Sequence, residues 1–446
     1  MKVKIIKMGM NGEGIGYLNH IPVFVDGALI DEEVDITVVE DHQRYKVGKV
    51  NRIVQASAHR IKPKCFVQER CGGCPLMIAQ YKKQLDYKFS HVRQSLIKYA
   101  QINPKVIQKM VANPMIFGYR NQLKLPCTME NGRLVTGMYV PGTNHFREIK
   151  KCIVHEEDLE RVRQDVLYVL NKHRIQAYQH QQKRGLRFLV IRGFHGRYQC
   201  TLISGEDTYS NQLINDMMRI KGMHSLWQSV HTAKKTHEIF GEKMQLLAGE
   251  RYLPLAFDHL KLQISPRSFF QLHTQQAMTL YRSIAALLPK KYDLMVEAYS
   301  GIGAISLYLQ DKAKEIIGIE SIKDAVVNAN QNAKLNGFHH ISFVCADAAD
   351  KLQYISKKRP IDCLVVDPPR SGLDEAMLYC ILKSRIQDIV YVSCNPATLA
   401  KNLAVLSSNY EVKKIVPIDI FSHTAHVECI VLLSRVKKGK AKPSLR

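Results

Sequence analysis

The sequence lacks the apolar segments that a membrane protein or an exported protein needs. No run approaches the roughly 18 apolar residues of a membrane-spanning helix, and no amino-terminal stretch resembles a signal peptide. Acidic residues are also scarce, because 40 Asp and Glu stand against 64 Lys and Arg, a formal net charge of +24. These absences predict a cytoplasmic protein with no membrane partner, and the positive charge favours binding to nucleic acid.

The pattern of the chain changes along its length, which indicates several domains. Its 446 residues exceed what one hydrophobic core usually supports. The predicted fold is multidomain α/β, with a small OB-like barrel at 1–55, a central α+β region at 56–255, a doubly wound Rossmann-like domain at 256–436 and a basic tail at 437–446.

The first region has the strand spacing of a small barrel, since short β-branched runs alternate with turn residues. Its glycine-rich segment 12–16, followed by Val-Phe-Val-Asp-Gly-Ala at 23–28, resembles the TRAM domain, an OB-like RNA-binding module. The resemblance implies an RNA partner. The alternative is a purely structural barrel.

Four cysteines in the central region have a spacing that suggests metal chemistry. Cys65, Cys71 and Cys74 lie close together, and Cys152 follows far along the chain. Four thiolates can hold a zinc ion or an iron–sulfur cluster. The five-residue gap differs from the paired C-x2-C of a zinc ribbon, which favours a [4Fe–4S] cluster over zinc or plain reduced cysteines. The spacing also differs from that of radical enzymes, so no redox role is implied.

Local patterns predict regular structure elsewhere in the central region. Apolar residues between 159 and 170 recur at helical spacing, and 187–204 reads as a hairpin that turns at His195 and Gly196. In Gly118-Tyr119-Arg120-Asn121, Arg120 is a candidate contact to RNA.

A strand that enters a glycine turn predicts a site for a nucleoside cofactor. The turn contains Gly301 and Gly303, and glycines there let a ligand approach the backbone closely. The next strand ends at Glu320, whose carboxylate can accept hydrogen bonds from a ribose, and another leads to Asp347, a candidate for the adenine edge. Ser306 replaces the third glycine of the dinucleotide fingerprint, which favours S-adenosylmethionine.

The strand 389–392 places Cys394 at its carboxyl end, where open α/β sheets bind substrates. The alternative is a buried structural cysteine. Asp367-Pro-Pro-Arg370 marks a place for a planar base, but amino-group methyltransferases typically carry an aromatic residue at the position of Arg370. Methylation of carbon needs a nucleophile and a base instead, and Cys394 and Glu428 offer both.

Four ordered motifs together resemble the RNA uracil-5 methyltransferases. They are Ser268-Phe269-Phe270-Gln271, Asp367-Pro-Pro-Arg-Ser-Gly, Ser393-Cys394-Asn395-Pro396-Ala397-Thr398-Leu399 and His426-Val427-Glu428. With the four cysteines and the TRAM-like barrel, the chain is most similar to the 23S ribosomal RNA branch of that family, which carries an iron–sulfur cluster.

The resemblance assigns expected roles to individual residues. S-adenosylmethionine would be bound by Gln271, Tyr299, Glu320 and Asp367, while Cys394 would be the nucleophile and Glu428 the base. The substrate would be a flipped-out uridine, with Phe269 stacked on it or simply packed in the core. The four cysteines would hold [4Fe–4S], and residues of about 77–113 would pack with the catalytic domain.

The chain departs from the family at several positions. The carboxylate before the glycine turn is Glu297 instead of Asp, His273 replaces an Asn, and an Asn expected near His231 is missing. An RNA cytosine-5 methyltransferase and a catalytically silent iron–sulfur RNA-binding protein are the alternatives to a uracil-5 enzyme. We expect a monomer.

Overall fold

The computed structural model describes residues 1–140, 142–234 and 238–436. The tail predicted at 437–446 lies outside these ranges. Within them the strands form three sheets, of six, seven and seven strands, and a separate two-stranded hairpin. No helix in the described ranges is both long and apolar enough to cross a membrane.

The first sheet curls into a small barrel. It contains β1 (Lys2–Lys4), β2 (Lys7–Met8), β3 (Gly14–Leu18), β4 (Ile21–Val25), β5 (Glu33–Asp41) and β6 (Lys46–Gln55). The strand order is β1-β5-β6-β4-β3-β2, so the sequence neighbours β1 and β2 lie at its two ends. Only Ile5 and Ile6 separate them, and this short link curls the sheet onto itself. The predicted small barrel is confirmed.

A segment of short helices follows the barrel. It contains α1 (Gln68–Cys71), a 3₁₀ turn (Pro75–Ile78), α2 (Tyr81–Ala100) and a second 3₁₀ turn (Pro104–Val106). Val92 and Leu96 of α2 are buried in the same core as the carboxyl-terminal sheet. By its packing, α2 therefore belongs to that sheet, while the exact domain limits stay predictions.

The central sheet has the order β13-β12-β11-β10-β7-β8-β9. Its elements are β7 (Gln122–Glu130), β8 (Arg133–Tyr139), β9 (Phe146–Glu148), α3 (Glu157–Lys172), β10 (Leu186–Phe194), β11 (Arg197–Ser204), α4 (Asn211–Met218), β12 (Met223–Val230) and β13 (Lys243–Gly249). The predicted helix is α3, whose apolar face is buried on the sheet. The predicted hairpin is β10 and β11, and it turns at His195 and Gly196, which have φ of 50° and 76°.

The carboxyl-terminal region is a doubly wound sheet preceded by a hairpin. Its elements are β14 (Leu253–Phe257), β15 (Leu260–Ile264), α5 (Thr274–Leu287), β16 (Tyr292–Ala298), α6 (Ala304–Tyr308), β17 (Ala313–Glu320), α7 (Lys323–Leu335), β18 (Ile341–Cys345), α8 (Ala348–Lys358), β19 (Cys363–Val366), α9 (Glu375–Lys383), β20 (Asp388–Ser393), α10 (Pro396–Leu406), β21 (Tyr410–Ile418) and β22 (Glu428–Arg435).

The strand order of this sheet is β18-β17-β16-β19-β20-β22-β21. Neighbouring strands from β18 to β20 are parallel, whereas β22 is antiparallel to both β20 and β21. The chain leaves β16 toward β18 and later returns to the other side of β16, so the order reverses between β16 and β19. Ligands of such sheets bind at this reversal, beyond the carboxyl ends of the strands. The Rossmann-like prediction is confirmed.

Candidate active site

The reversed strand β22 brings Cys394 and Glu428 to the same edge of the sheet. The last pair in the β20–β22 ladder is Ser393 with Cys429. The next residues beyond this pair are Cys394 and Glu428, so these two residues are opposite each other on the two antiparallel strands. A thiol and a carboxyl group, far apart in the chain, are neighbours through this register.

Three other predicted residues lie at this edge. Tyr299 follows β16 and Asp367 follows β19, and the register of these parallel strands pairs Ala298 with Val366 just before them. Glu320 ends β17. The sheet therefore gathers Cys394 and the three predicted cofactor residues at the carboxyl ends of its parallel strands.

The glycine turn between β16 and α6 has the backbone that the sequence predicts. Gly301 and Gly303 have φ of 54° and 78°, values that disfavour residues with a Cβ. A Cβ on Gly303 would lie 2.3 Å from the ring of Phe343, whereas one on Gly301 would meet no atom within 4 Å. Gly301 therefore leaves open space above the turn.

Glu297, which replaces the Asp usual in the family, contacts Ser306, which replaces the third glycine of the dinucleotide fingerprint. The Glu297 carboxylate accepts hydrogen bonds from the Ser306 hydroxyl and from the Ser306 amide, the latter at 2.9 Å. Burial raises the pKa of Glu297 to about 8, although both Ser306 donors oppose this shift. The Glu297 carboxylate thus satisfies the amide and the hydroxyl of Ser306, which stands at the position of the third glycine of the fingerprint.

Two of the predicted cofactor carboxylates, Glu320 and Asp347, accept hydrogen bonds from nearby backbone amides. Glu320 Oε2 accepts from the Gly301 amide at 3.0 Å, and its Oε1 accepts from the Ile322 amide at 2.9 Å. Asp347 caps α8 by accepting from the Asp350 amide at 3.1 Å. Glu320 therefore lies against the glycine turn, and Asp347 begins the helix after the next strand.

Two neighbouring aromatic residues in the loop before α5 differ in exposure. The Phe269 side chain is 66% exposed, while Phe270 is buried against Phe194 and Phe257. Gln271, the predicted cofactor residue, is buried next to them. The exposure of Phe269 argues against the alternative that it packs in the core.

The site has two carboxyl groups and a thiol whose charged forms are disfavoured. Burial raises the pKa of Asp367 to about 7. Burial, with the nearby Asp367 charge, also raises the pKa of Glu428 well above its ordinary value. The pKa of Cys394 is raised to about 11, mainly by burial and then by Glu428 and Asp367. In the free protein the thiol is therefore protonated at neutral pH.

Arg370 is the positive charge that opposes these shifts. Its guanidinium lowers the pKa of both Cys394 and Glu428, and one of its NH2 groups lies 3.3 Å from Nδ1 of His426. Burial, and then Arg370, lowers the pKa of His426 to about 4, so the ring is neutral and can accept this hydrogen bond. The sequence offered Arg370 only as an argument against amine methylation.

A buried ion pair that no sequence pattern indicated holds the loop that leads to Glu428. Lys88 Nζ of α2 donates to Asp419 at 2.5 Å, and the two side chains are 1% and 0% exposed. Lys88 also donates to the carbonyl of Phe421. Asp419 accepts from Tyr81 and Ser422 as well. Helix α2 therefore fixes the segment between β21 and β22.

The four predicted ligand cysteines line one cavity. Cys65, Cys71 and Cys74 face Cys152 across it, and all four are free thiols. Within the described ranges, however, no three His, Cys, Asp or Glu side chains converge closely enough to hold a single metal ion. The nearby Arg120, predicted as an RNA contact, has a buried Nε without a hydrogen-bond partner and lies 5.9 Å from the ring centroid of Phe421.

Comparison with known proteins gives the family. The model of the tRNA (uracil-5-)-methyltransferase family matches residues 80–436, and the TRAM domain model matches residues 1–50. The chain belongs to the tRNA (uracil-5-)-methyltransferase family. It is an RNA (uracil-5-)methyltransferase with an amino-terminal TRAM domain, and S-adenosylmethionine is its cofactor. This membership disfavours both the cytosine-5 enzyme and the silent RNA-binding protein.

Individual relatives agree with this membership. The methyltransferase is 33% identical over 440 residues to a protein of Clostridium tetani described as an uncharacterized RNA methyltransferase, covering 96% of this chain and 95% of that one. A Bacillus cereus protein with the same description is 35% identical over 447 residues, covering 97% and 96%.

Among solved structures, one similar chain is the Pyrococcus abyssi tRNA (uracil-54, C5)-methyltransferase in complex with S-adenosyl-L-homocysteine. It superposes with a TM-score of 0.76 at 25% identity, covering 97% of this chain and 100% of that one.

We expect the methyltransferase variant Lys88→Met to lose stability and activity together, because it leaves the Asp419 carboxylate buried without its partner. Breaking a buried ion pair costs about 3–5 kcal/mol, which urea unfolding measures. The double variant Lys88→Met/Asp419→Asn removes both charges and should recover most of this loss. The matched control is Lys314→Met, which breaks the exposed 2.8 Å pair with Asp293 and should leave the free energy of unfolding nearly unchanged, because solvent screens an exposed pair. A double variant no more stable than Lys88→Met would show that the unpaired Asp419 charge does not cause the loss of stability.

Proposed function

We propose that the protein methylates C5 of a specific uridine in RNA through a covalent bond between Cys394 Sγ and C6 of the uracil. The observation that carries this proposal is the register of β20 and β22, which brings a thiol and a carboxyl group to one edge of the sheet. Uracil C5 is a poor nucleophile until a group adds to C6, and a thiolate is suited to that addition because it also leaves readily.

Each residue has a defined part in this reaction. S-adenosylmethionine supplies an electrophilic methyl group when bound. The Cys394 thiolate adds to C6, and the electron pair that this releases makes C5 nucleophilic. C5 forms a bond to that methyl group, and the electron pair of the broken sulfur–methyl bond stays on the sulfur, so that S-adenosyl-L-homocysteine is released. Glu428, as the carboxylate, then takes the proton from C5, and the returning electron pair breaks the Sγ–C6 bond. The guanidinium of Arg370, which lowers the pKa of Cys394, favours the thiolate that begins the reaction.

Cofactor binding is proposed for the residues around the glycine turn. They are Gln271, Tyr299, Glu320, Asp367, Gly301, Gly303 and Asp347. The residues fit a nucleoside in two respects: the space above Gly301 is open, and the buried Ser300 hydroxyl has no hydrogen-bond partner. Phe269, exposed in the adjacent loop, is proposed to stack on the flipped uracil.

The proposed target is 23S ribosomal RNA, supported by the combination of the TRAM domain with four cysteines on one cavity. A transfer RNA is the second candidate, because the similar Pyrococcus abyssi structure is that of a tRNA enzyme. Arg120 is proposed to contact RNA from beside the cysteine cavity. The monomeric state and the cytoplasmic location stay predictions.

We also propose that Cys65, Cys71, Cys74 and Cys152 hold a [4Fe–4S] cluster that stabilises the fold. The kind and number of ligands fit, because each iron of such a cluster takes one thiolate. A cluster also separates its four sulfur ligands more widely than a single ion does, which is compatible with the absence, within the described ranges, of a convergent single-ion site. When bound, the cluster would tie the segment of α1 to the segment before α3.

The base assignment predicts a trapped intermediate. Replacing Glu428 by Gln should still permit addition and methyl transfer but block removal of the C5 proton, so a covalent RNA adduct should accumulate. A denaturing gel with labelled RNA measures it. Cys394→Ser is the control and should form no adduct. Full turnover by Glu428→Gln without any adduct would show that another group is the base.

The RNA target can be identified by comparing cells with and without the gene. We expect 5-methyluridine to disappear from one or more positions of 23S ribosomal RNA in the deletion strain, as measured by nuclease mapping and mass spectrometry. Complementation with the wild-type gene should restore it, whereas Cys394→Ser should not. Loss from transfer RNA alone would favour the second candidate, and no loss in either RNA would reject both.

The cluster predicts a colour and a metal content. Protein purified without oxygen should be brown and contain about four irons per chain. Cys152→Ser should lose iron, whereas Cys345→Ser, which changes an exposed cysteine outside the cavity, should keep it. Zinc in place of iron, or no metal at all, would reject the cluster.

A further inference from the structure

Phe66 is the most exposed aromatic side chain in the described part of the chain. Its relative exposure is 106%, compared with 72% for Tyr168 and 66% for Phe269. No aromatic or cation–π contact of its ring occurs within the described ranges. Single exposed apolar residues are common on proteins, so the meaning of Phe66 depends on what surrounds it.

The segment that contains Phe66, and the segment across the cysteine cavity from it, both contain exposed cations. Lys62 and Arg70 lie in the same exposed segment, and Lys150 lies in the other segment that lines the cysteine cavity. None of these three forms an ion pair within the described ranges, and Glu69 is the only acidic residue between Lys62 and Arg70. The segment that carries the ring therefore contains more cations than carboxylates.

The structure also fixes this segment next to the catalytic loop. Cys65, which precedes Phe66, packs against the small core that contains Tyr119 and Phe421. Lys64 lies 5.2 Å from the ring centroid of Phe117, and that ring lies 4.6 Å from His423. His423 is in the loop that leads to the proposed base, so the segment that carries the exposed ring is connected to that loop through Lys64 and Phe117.

We propose that Phe66, with Lys62, Arg70 and Lys150, forms a binding site for a single-stranded nucleotide of the RNA substrate. We call these four residues the Phe66 platform. A base stacks on the ring, and the cations contact the neighbouring phosphates. This inference rests on the proposed function, since it gives the RNA a second contact outside the pocket of Cys394.

Single-stranded RNA fits the platform better than a protein partner does. Aromatic rings flanked by cations are the usual platform for unpaired bases, because stacking accepts any base and the cations follow the backbone. The core of a protein interface is depleted of charge and contains several apolar residues. An exposed ring in a segment with unpaired cations matches the first description.

The test compares substitutions at two exposed rings, Phe66 and Tyr168, in the full chain. Phe66→Ala and Phe66→Leu should each weaken binding of a labelled single-stranded oligouridine of about a dozen nucleotides by roughly tenfold. Phe66→Trp should retain affinity. Tyr168→Ala is the matched control, since Tyr168 is a similarly exposed ring on helix α3, which does not line the cysteine cavity, and it should change nothing. Cofactor affinity, measured by calorimetry, should be equal in all of them.

The contribution of the cations to RNA binding is tested separately by varying the salt concentration. The triple variant Lys62→Gln/Arg70→Gln/Lys150→Gln should flatten the slope of log affinity against log salt by about 2, because each contact to a single strand contributes about 0.7. Phe66→Leu should leave the slope unchanged, since stacking releases no counterions. An unchanged slope in the triple variant would remove the cations from the platform.

Two results would overturn the proposal. One is equal RNA affinity for Phe66→Leu and Tyr168→Ala. The other is a Phe66-dependent change in mass by sedimentation with no change in RNA affinity, which would assign the ring to protein association. These outcomes differ from a failure of the proposed function, which would appear as wild-type protein that forms no 5-methyluridine yet still binds RNA more tightly than Phe66→Leu.

Discussion

β22 runs against the other strands of its sheet, between β20 and β21. In a sheet of parallel strands alone, only carboxyl-terminal strand ends would reach the ligand edge. The reversal brings the first residue of β22, Glu428, to that edge beside Cys394. Because cross-strand neighbours are only about 5 Å apart, the backbone ladder sets the separation of the two groups. The proposed chemistry depends on this register more than on any single side chain.

The charges around this pair are strongly unbalanced. Glu428 and Asp367 are carboxyl groups whose pKa values burial raises, and Cys394 lies beside them with a pKa of about 11. Arg370 alone lowers the pKa of both proposed reacting groups. The neutral ring of His426 accepts a hydrogen bond from it and adds no competing charge. Such a site favours the protonated thiol at rest.

Three separate parts of the chain hold the loop between β21 and β22. Helix α2 contributes Lys88, buried against Asp419. The segment before the central sheet contributes Asn113, whose amide donates to Ser422 at 2.9 Å. The cysteine segment contributes the amide of Leu76, which donates to the carbonyl of His423 at 2.9 Å. These contacts connect the loop that leads to the proposed base with the segment that lines the cysteine cavity.

The sequence by itself determined the features that depend on short-range pattern: the strand and glycine turn at Gly301, the helix α3, the hairpin at His195 and Gly196, and a cysteine at the end of a strand. Period and turn chemistry encode these because each involves only a few consecutive residues. Only the tertiary structure decided that Ser306 donates hydrogen bonds to Glu297, that α2 anchors the catalytic loop and that the reversed β22 faces β20. Those contacts join residues far apart in the chain, and no local period records which distant partner a side chain will meet.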